Sequence, residues 1–167
     1  MRASDLLDAN FEAALRNGFA VHYHFRLELW RDARLIDRQV GTVAWDAVAR
    51  LDPIGNVYEL LRSGGSVEEH PDTAALARAL ATPFTVDLLP RAGSTGRHYY
   101  VATLEIESLS LSELDEVEQW LRGDLGRALR ERGDFGNALS RGARRLLIRL
   151  SGLPRRTVEA RSGRFEP

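Results

Sequence analysis

The 167-residue chain has the length of one domain, and its 44% apolar and 28% charged residues are enough for a core that needs no covalent staples. It has no cysteine, which excludes disulfides, thiolate metal sites and cysteine nucleophiles. The net charge of -1 hides an asymmetry: residues 1–136 hold 15 Arg against 22 acidic residues, whereas residues 137–167 hold 8 Arg against Glu159 and Glu166. All 23 basic residues are Arg, which reads as a GC-rich coding sequence rather than a binding signal.

From Asp5 to Asn17, the residues Leu7, Phe11, Ala14 and Leu15 recur at helical spacing, and Asn17-Gly18 is a stop signal, so the spacing predicts a short amphipathic helix. Residues 19–30 alternate strictly: Phe19, Val21, Tyr23, Phe25, Leu27 and Leu29 against Ala20, His22, His24, Arg26, Glu28 and Trp30. That pattern predicts a strand with one buried and one wet face. A second strand is expected over residues 35–48, with a bulge or bend where the alternation breaks near Gly41. Turn chemistry at Asp52-Pro53 and Gly55-Asn56 leads to a third strand over residues 57–61. Ser63-Gly64-Gly65-Ser66 reads as a loop. It lacks the following helix and the lysine that a phosphate cradle requires.

Asp72 is placed to cap an alanine-rich helix that ends before Pro83. Phe84, Val86 and Leu88 then suggest a fourth strand. Residues 98–109 suggest a fifth, with His98, Tyr100, Ala102, Leu104 and Ile106 on one face. Two C-terminal helices are expected, one opening at Ser110 or Ser112 with Trp120 on its apolar side, the other over residues 137–150. In the second, Leu139, Ala143, Leu146, Leu147 and Leu150 oppose Arg141, Arg144, Arg145 and Arg149. Beyond Gly152 the sequence reads as a polar, mobile tail. The fold class is therefore α+β, mainly antiparallel, a sheet or sandwich with an N-terminal helix, one inserted helix and two C-terminal helices. The expected division is a β-rich domain over residues 1–131 and a basic helical extension with its tail over residues 132–167.

The run Ala14-Leu15-Arg16-Asn17-Gly18-Phe19-Ala20-Val21, followed by Phe25 to Arg31, Ile36-Asp37-Arg38, the Tyr58 strand, the Ala74-Ala75-Leu76 helix, Tyr99-Tyr100 and Trp120 to Gly123, resembles the bacterial domain of unknown function family 4390. The resemblance spans roughly residues 5–125 and rests on the order of weak motifs. It implies an exported, envelope-associated protein with no recognised catalytic residues. The start, Met-Arg-Ala-Ser-Asp, lacks the apolar core of an export signal, so location is expected to be the envelope if a leader precedes Met1 and the cytoplasm otherwise.

His22 and His24, two apart on a strand, share a face, and with His98 and either Glu28 or Asp37 they form the best metal-like set; solvated histidines on a wet face is the simpler reading, and no metal or other cofactor is expected. There is no Gly-x-Ser-x-Gly elbow, and Glu105 and Glu107 read as surface carboxylates, so no catalytic residue is assigned. The aromatic residues Trp30, Trp45, Tyr58, Tyr99, Tyr100 and Trp120 suit either a core or a pocket. The leading expectation is a non-enzymatic envelope-associated binding or scaffold module. Its partner would be a protein or an anionic membrane surface, met through Arg141, Arg144, Arg145 and Arg149. The alternative is an enzyme or small-ligand carrier with an aromatic-lined interior cavity. Nucleic acid ranks third, because the body is acidic.

Overall fold

The computed structural model describes residues 5–83, 85–110 and 153–167. Helix α1 (Ala9–Arg16) begins where Asp8 accepts hydrogen bonds from the Asn10 and Phe11 amides, and ends at Asn17 before Gly18, whose φ of 82° is left-handed. Strands β1 (Ala20–Arg31), β2 (Arg38–Asp52), β3 (Val57–Arg62) and β4 (Val67–His70) follow as antiparallel neighbours. Helix α2 (Thr73–Leu80) is capped by Asp72 through the Ala75 amide. Strand β5 (His98–Leu109) returns to lie beside β1, and β6 (Arg155–Arg161) pairs with β5. The six strands form one sheet in the order β4-β3-β2-β1-β5-β6.

The register makes the two faces of this sheet chemically different. On one side Val21, Tyr23, Ala47, Ala49, Leu60, Leu104 and Ile106 pack with Leu6, Leu7, Phe11 and Leu15 from the N-terminal region and with Leu76 and Leu80 of α2. Alternation at period two delivers these residues to the helices. On the opposite side a smaller cluster of Ala20, Val48, Leu61 and Leu109 is also buried.

Several expectations are corrected. All six described strands belong to one sheet, so among the described residues no second sheet makes a sandwich. Residues 85–88, expected in a strand, have no regular structure: Pro83 and Pro90 bracket the run, and Tyr100 ties it down through its side chain rather than through a ladder. Val67 to His70 after the Gly64-Gly65 loop is a strand. The tail beyond Gly152 is β6, held by ladder bonds to β5 and, beyond them, by a bridge in which His98 and Phe165 exchange backbone hydrogen bonds of 2.7 and 2.8 Å. The break near Gly41 is borne out, since the β1–β2 register slips between Leu29–Gly41 and Trp30–Gln39 and leaves Val40 over as the extra residue. The two expected C-terminal helices, with Trp120 and with Arg141, Arg144, Arg145 and Arg149, lie outside the described residues.

Candidate functional site

The helix-bearing face does not close over its whole length. Where α1 and α2 leave the β1–β2–β5 region uncovered, residues 85–89 cross the sheet as an irregular strap, and a cavity of about 540 Å³ remains beneath it. Its floor is Phe25, Leu27, Trp45, Tyr100, Ala102 and Leu104, the same alternating positions that form the core nearer the helices. Val158 and Ala160 of β6, with Ser162 just beyond it, continue that floor to the sheet edge. Phe25 and Trp45 are cross-strand partners whose rings stack at 5.3 Å with an interplanar angle of 6°.

Two contacts hold the strap. The Tyr100 hydroxyl donates to the Leu88 carbonyl at 2.7 Å, and the Leu88 side chain sits over Gly41, where a Cβ would come within 2.9 Å of Leu88 Cδ1. The glycine at the bulge thus gives the strap room to lie on the sheet. Leu89, next in the strap, lines the cavity while remaining 78% exposed. A cavity of this size lies in the range that small-molecule sites occupy, roughly 300–1,000 Å³.

The opposite face carries a chain of ionisable groups running across three strands. His22 Nε2 and His24 Nδ1 both lie 2.8 Å from Asp46 Oδ1, and His22 Nδ1 lies 3.2 Å from Glu107 Oε1. His22 and Asp46 are buried, at 5% and 2% exposure. Burial alone would drive the His22 imidazole toward its neutral form, but the hydrogen bonds and charges of Asp46 and Glu107 outweigh it and hold the pKa up at about 9. Asp46 is likewise opposed by burial, and its two histidine partners bring it down to about 2. With both ring nitrogens donating to carboxylates, His22 is an imidazolium bridging two acids.

This replaces the expectation of solvated histidines on a wet face. It also separates His98 from the pair: the register puts His98 on the helix side, where it is buried against Phe165, whereas His22 and His24 face the other way. Among the described residues no group of three or more histidine, aspartate or glutamate side chains is arranged to hold a metal ion. Glu28 instead accepts from the Trp30 indole, and Asp37 accepts from the Tyr99 hydroxyl at 2.7 Å. Of the aromatic residues named from the sequence, Trp45 and Tyr100 line the cavity, Trp30 and Tyr99 stack on the opposite face, Tyr58 packs on the core, and Trp120 lies outside the described residues. Arg141, Arg144, Arg145 and Arg149 lie outside them as well.

Sequence reasoning missed Asp46 and the half-buried contact of Glu107 with His22. The signal for Asp46 was an acid within the otherwise apolar Val43-Ala44-Trp45-Asp46-Ala47-Val48 run. For Glu107 it was the period-two match that puts it opposite His22, which only the strand pairing reveals. No family model matches the chain, and no curated protein or solved structure matches it.

Proposed function

We propose that the chain is a non-enzymatic binding module that takes the apolar part of a ligand into the cavity beneath the 85–89 strap. The observation that carries this reading is the cavity itself, about 540 Å³ floored by Phe25, Trp45 and Tyr100 at positions that the core pattern would otherwise fill. An unfilled apolar recess forfeits dispersion contacts that a close-packed interior normally makes, and an apolar guest restores them. The resemblance to an exported bacterial family supports placing the module at the cell envelope, which fractionation of the producing cells would test.

The experiment for the binding reading is titration with N-phenyl-1-naphthylamine, an uncharged dye that brightens in apolar surroundings. Saturable binding is expected, and Ala102→Trp, which fills the floor, should weaken it at least ~10-fold while the thermal midpoint stays near that of the parent. Ala160→Trp at the exposed edge of the same floor provides the filling control should the first variant fold poorly. Undiminished binding in a folded, filled variant would overturn the assignment.

A second reading concerns the charge of the C-terminal region. Of its 8 arginines, Arg155, Arg156, Arg161 and Arg164 lie within 4.0 Å of Glu105, Asp8, Asp37 and Asp32; for Arg141, Arg144, Arg145 and Arg149 we propose an anionic membrane surface or acidic partner.

A further inference from the structure

We infer that the cavity selects uncharged hydrophobes and discriminates against the anions of otherwise similar molecules; the inference rests on the binding reading above. Among the described lining residues, Thr103 faces away by register with Arg26, and the three hydroxyl groups on the cavity side are already committed. Tyr100 donates to the Leu88 carbonyl at 2.7 Å, Thr82 to the Arg78 carbonyl at 3.0 Å, and Ser162 to the Gly163 carbonyl at 2.8 Å. The one cationic residue among the described lining residues, Arg26, belongs by register to the opposite face, where its Nε pairs with Glu28 at 3.5 Å, so it meets the cavity through its backbone.

The α2 end of the cavity strengthens the argument. Leu80, Ala81 and Thr82 line it at the helix C-terminus, the end of the helix dipole that carries partial negative charge. The neighbouring guanidinium of Arg62 is spent on Glu68 and on the Ala79 carbonyl. A carboxylate or sulfonate entering beneath the strap would lose water without gaining a cation or a spare hydroxyl from the described lining residues, and a desolvated charge left without a partner is strongly disfavoured. An alcohol, an unsubstituted ring system or a hydrocarbon chain carries no such cost. The stacked Phe25–Trp45 pair and Tyr100 offer such a group a flat apolar bed.

The test compares N-phenyl-1-naphthylamine with 8-anilino-1-naphthalenesulfonate, which keeps the same aromatic body and adds a sulfonate. Only the part of each signal displaced by hexadecanol and lost in Ala160→Trp counts as cavity binding, because surface arginines also attract the sulfonate. The neutral dye should bind at least ~30-fold more tightly. Leu89→Arg, at an exposed strap position on the cavity rim, should narrow that ratio several-fold by supplying the missing cation. Hexadecanol should displace the neutral dye far better than palmitate, and phenanthrene in place of hexadecanol tells whether rings or chains fit better. Equal or tighter cavity binding of the sulfonate, or palmitate matching hexadecanol, would overturn the selectivity while leaving the pocket in place. Absence of cavity binding by either dye would remove the pocket reading and this inference with it.

Discussion

His22 shows how far a single side chain depends on its neighbours. An imidazolium in a buried place survives because Asp46 at 2.8 Å and Glu107 at 3.2 Å surround it, and the pair His22–Asp46 loses its meaning if either is cut. The sign of the pH dependence follows. The folded pKa of His22 lies above its ordinary 6.5, so its contribution is complete below pH 6.5 and is lost as pH rises through about 9. Asp46 is displaced downward, so its contribution is present above its ordinary 3.8 and is lost as pH falls toward about 2. Because both shifts report one shared interaction, they are not added; the amplitude on the alkaline side is on the order of 3 kcal/mol. Urea denaturation at pH 6 and pH 9.5 should therefore show the parent losing stability over that interval and His22→Gln losing much less. Equal losses in the two proteins would mean that the bridge contributes nothing to folding.

At the scale of elements, the legible parts of the chain are those whose pattern is local. The 12-residue alternation of β1, the Asp72 cap of α2 and the bulge at Val40–Gly41 all follow from residues close in sequence. What was not legible depends on pairing. The sequence Arg155-Arg156-Thr157-Val158-Glu159-Ala160-Arg161 carries only Val158 and Ala160 as apolar residues and reads as tail, yet it becomes β6 because β5 offers an open edge with Val158 opposite Leu104 and Ala160 opposite Ala102. Conversely, Phe84, Val86 and Leu88 alternate as a strand should, yet the run from 85 to 88 crosses over the sheet, where apolar positions serve as a roof. The cavity was legible only as an alternative, since Trp45 and Tyr100 suit a core as well as a pocket until the strap is seen standing off from them. Ending the chain at residue 152 should thus be more than trimming. It removes β6 and exposes Leu104, at a cost on the order of 3 kcal/mol and a thermal midpoint lower by several degrees in calorimetry. A midpoint unchanged within a degree would show β6 to be an ornament of the sheet.

For the whole molecule, the charge asymmetry and the fold bear on each other. An acidic body and a basic end suggest an appendage made to meet something else, but four of its 8 arginines pair with acids of the body itself. Arg164 lies 2.9 Å from Asp32, Arg161 lies 3.6 Å from Asp37 and sits over the Tyr99 ring at 3.6 Å, and Arg155 and Arg156 reach Glu105 and Asp8. Such partly exposed pairs contribute little individually, yet they account for why the strand beside β5 is rich in arginine. Any test of membrane attachment must therefore leave β6 intact, since removing residues 137–167 would unravel the sheet edge along with the charge. The discriminating variant replaces Arg141, Arg144, Arg145 and Arg149 by Gln. If these four contribute about 1 kcal/mol each near an anionic surface, the parent should co-sediment with vesicles containing phosphatidylserine, detach as salt is raised, and ignore vesicles of phosphatidylcholine alone. The fourfold variant should stay in the supernatant with its thermal midpoint unchanged. Sedimentation of the variant equal to that of the parent would assign the attraction elsewhere, and indifference of the parent to lipid charge would end the membrane reading.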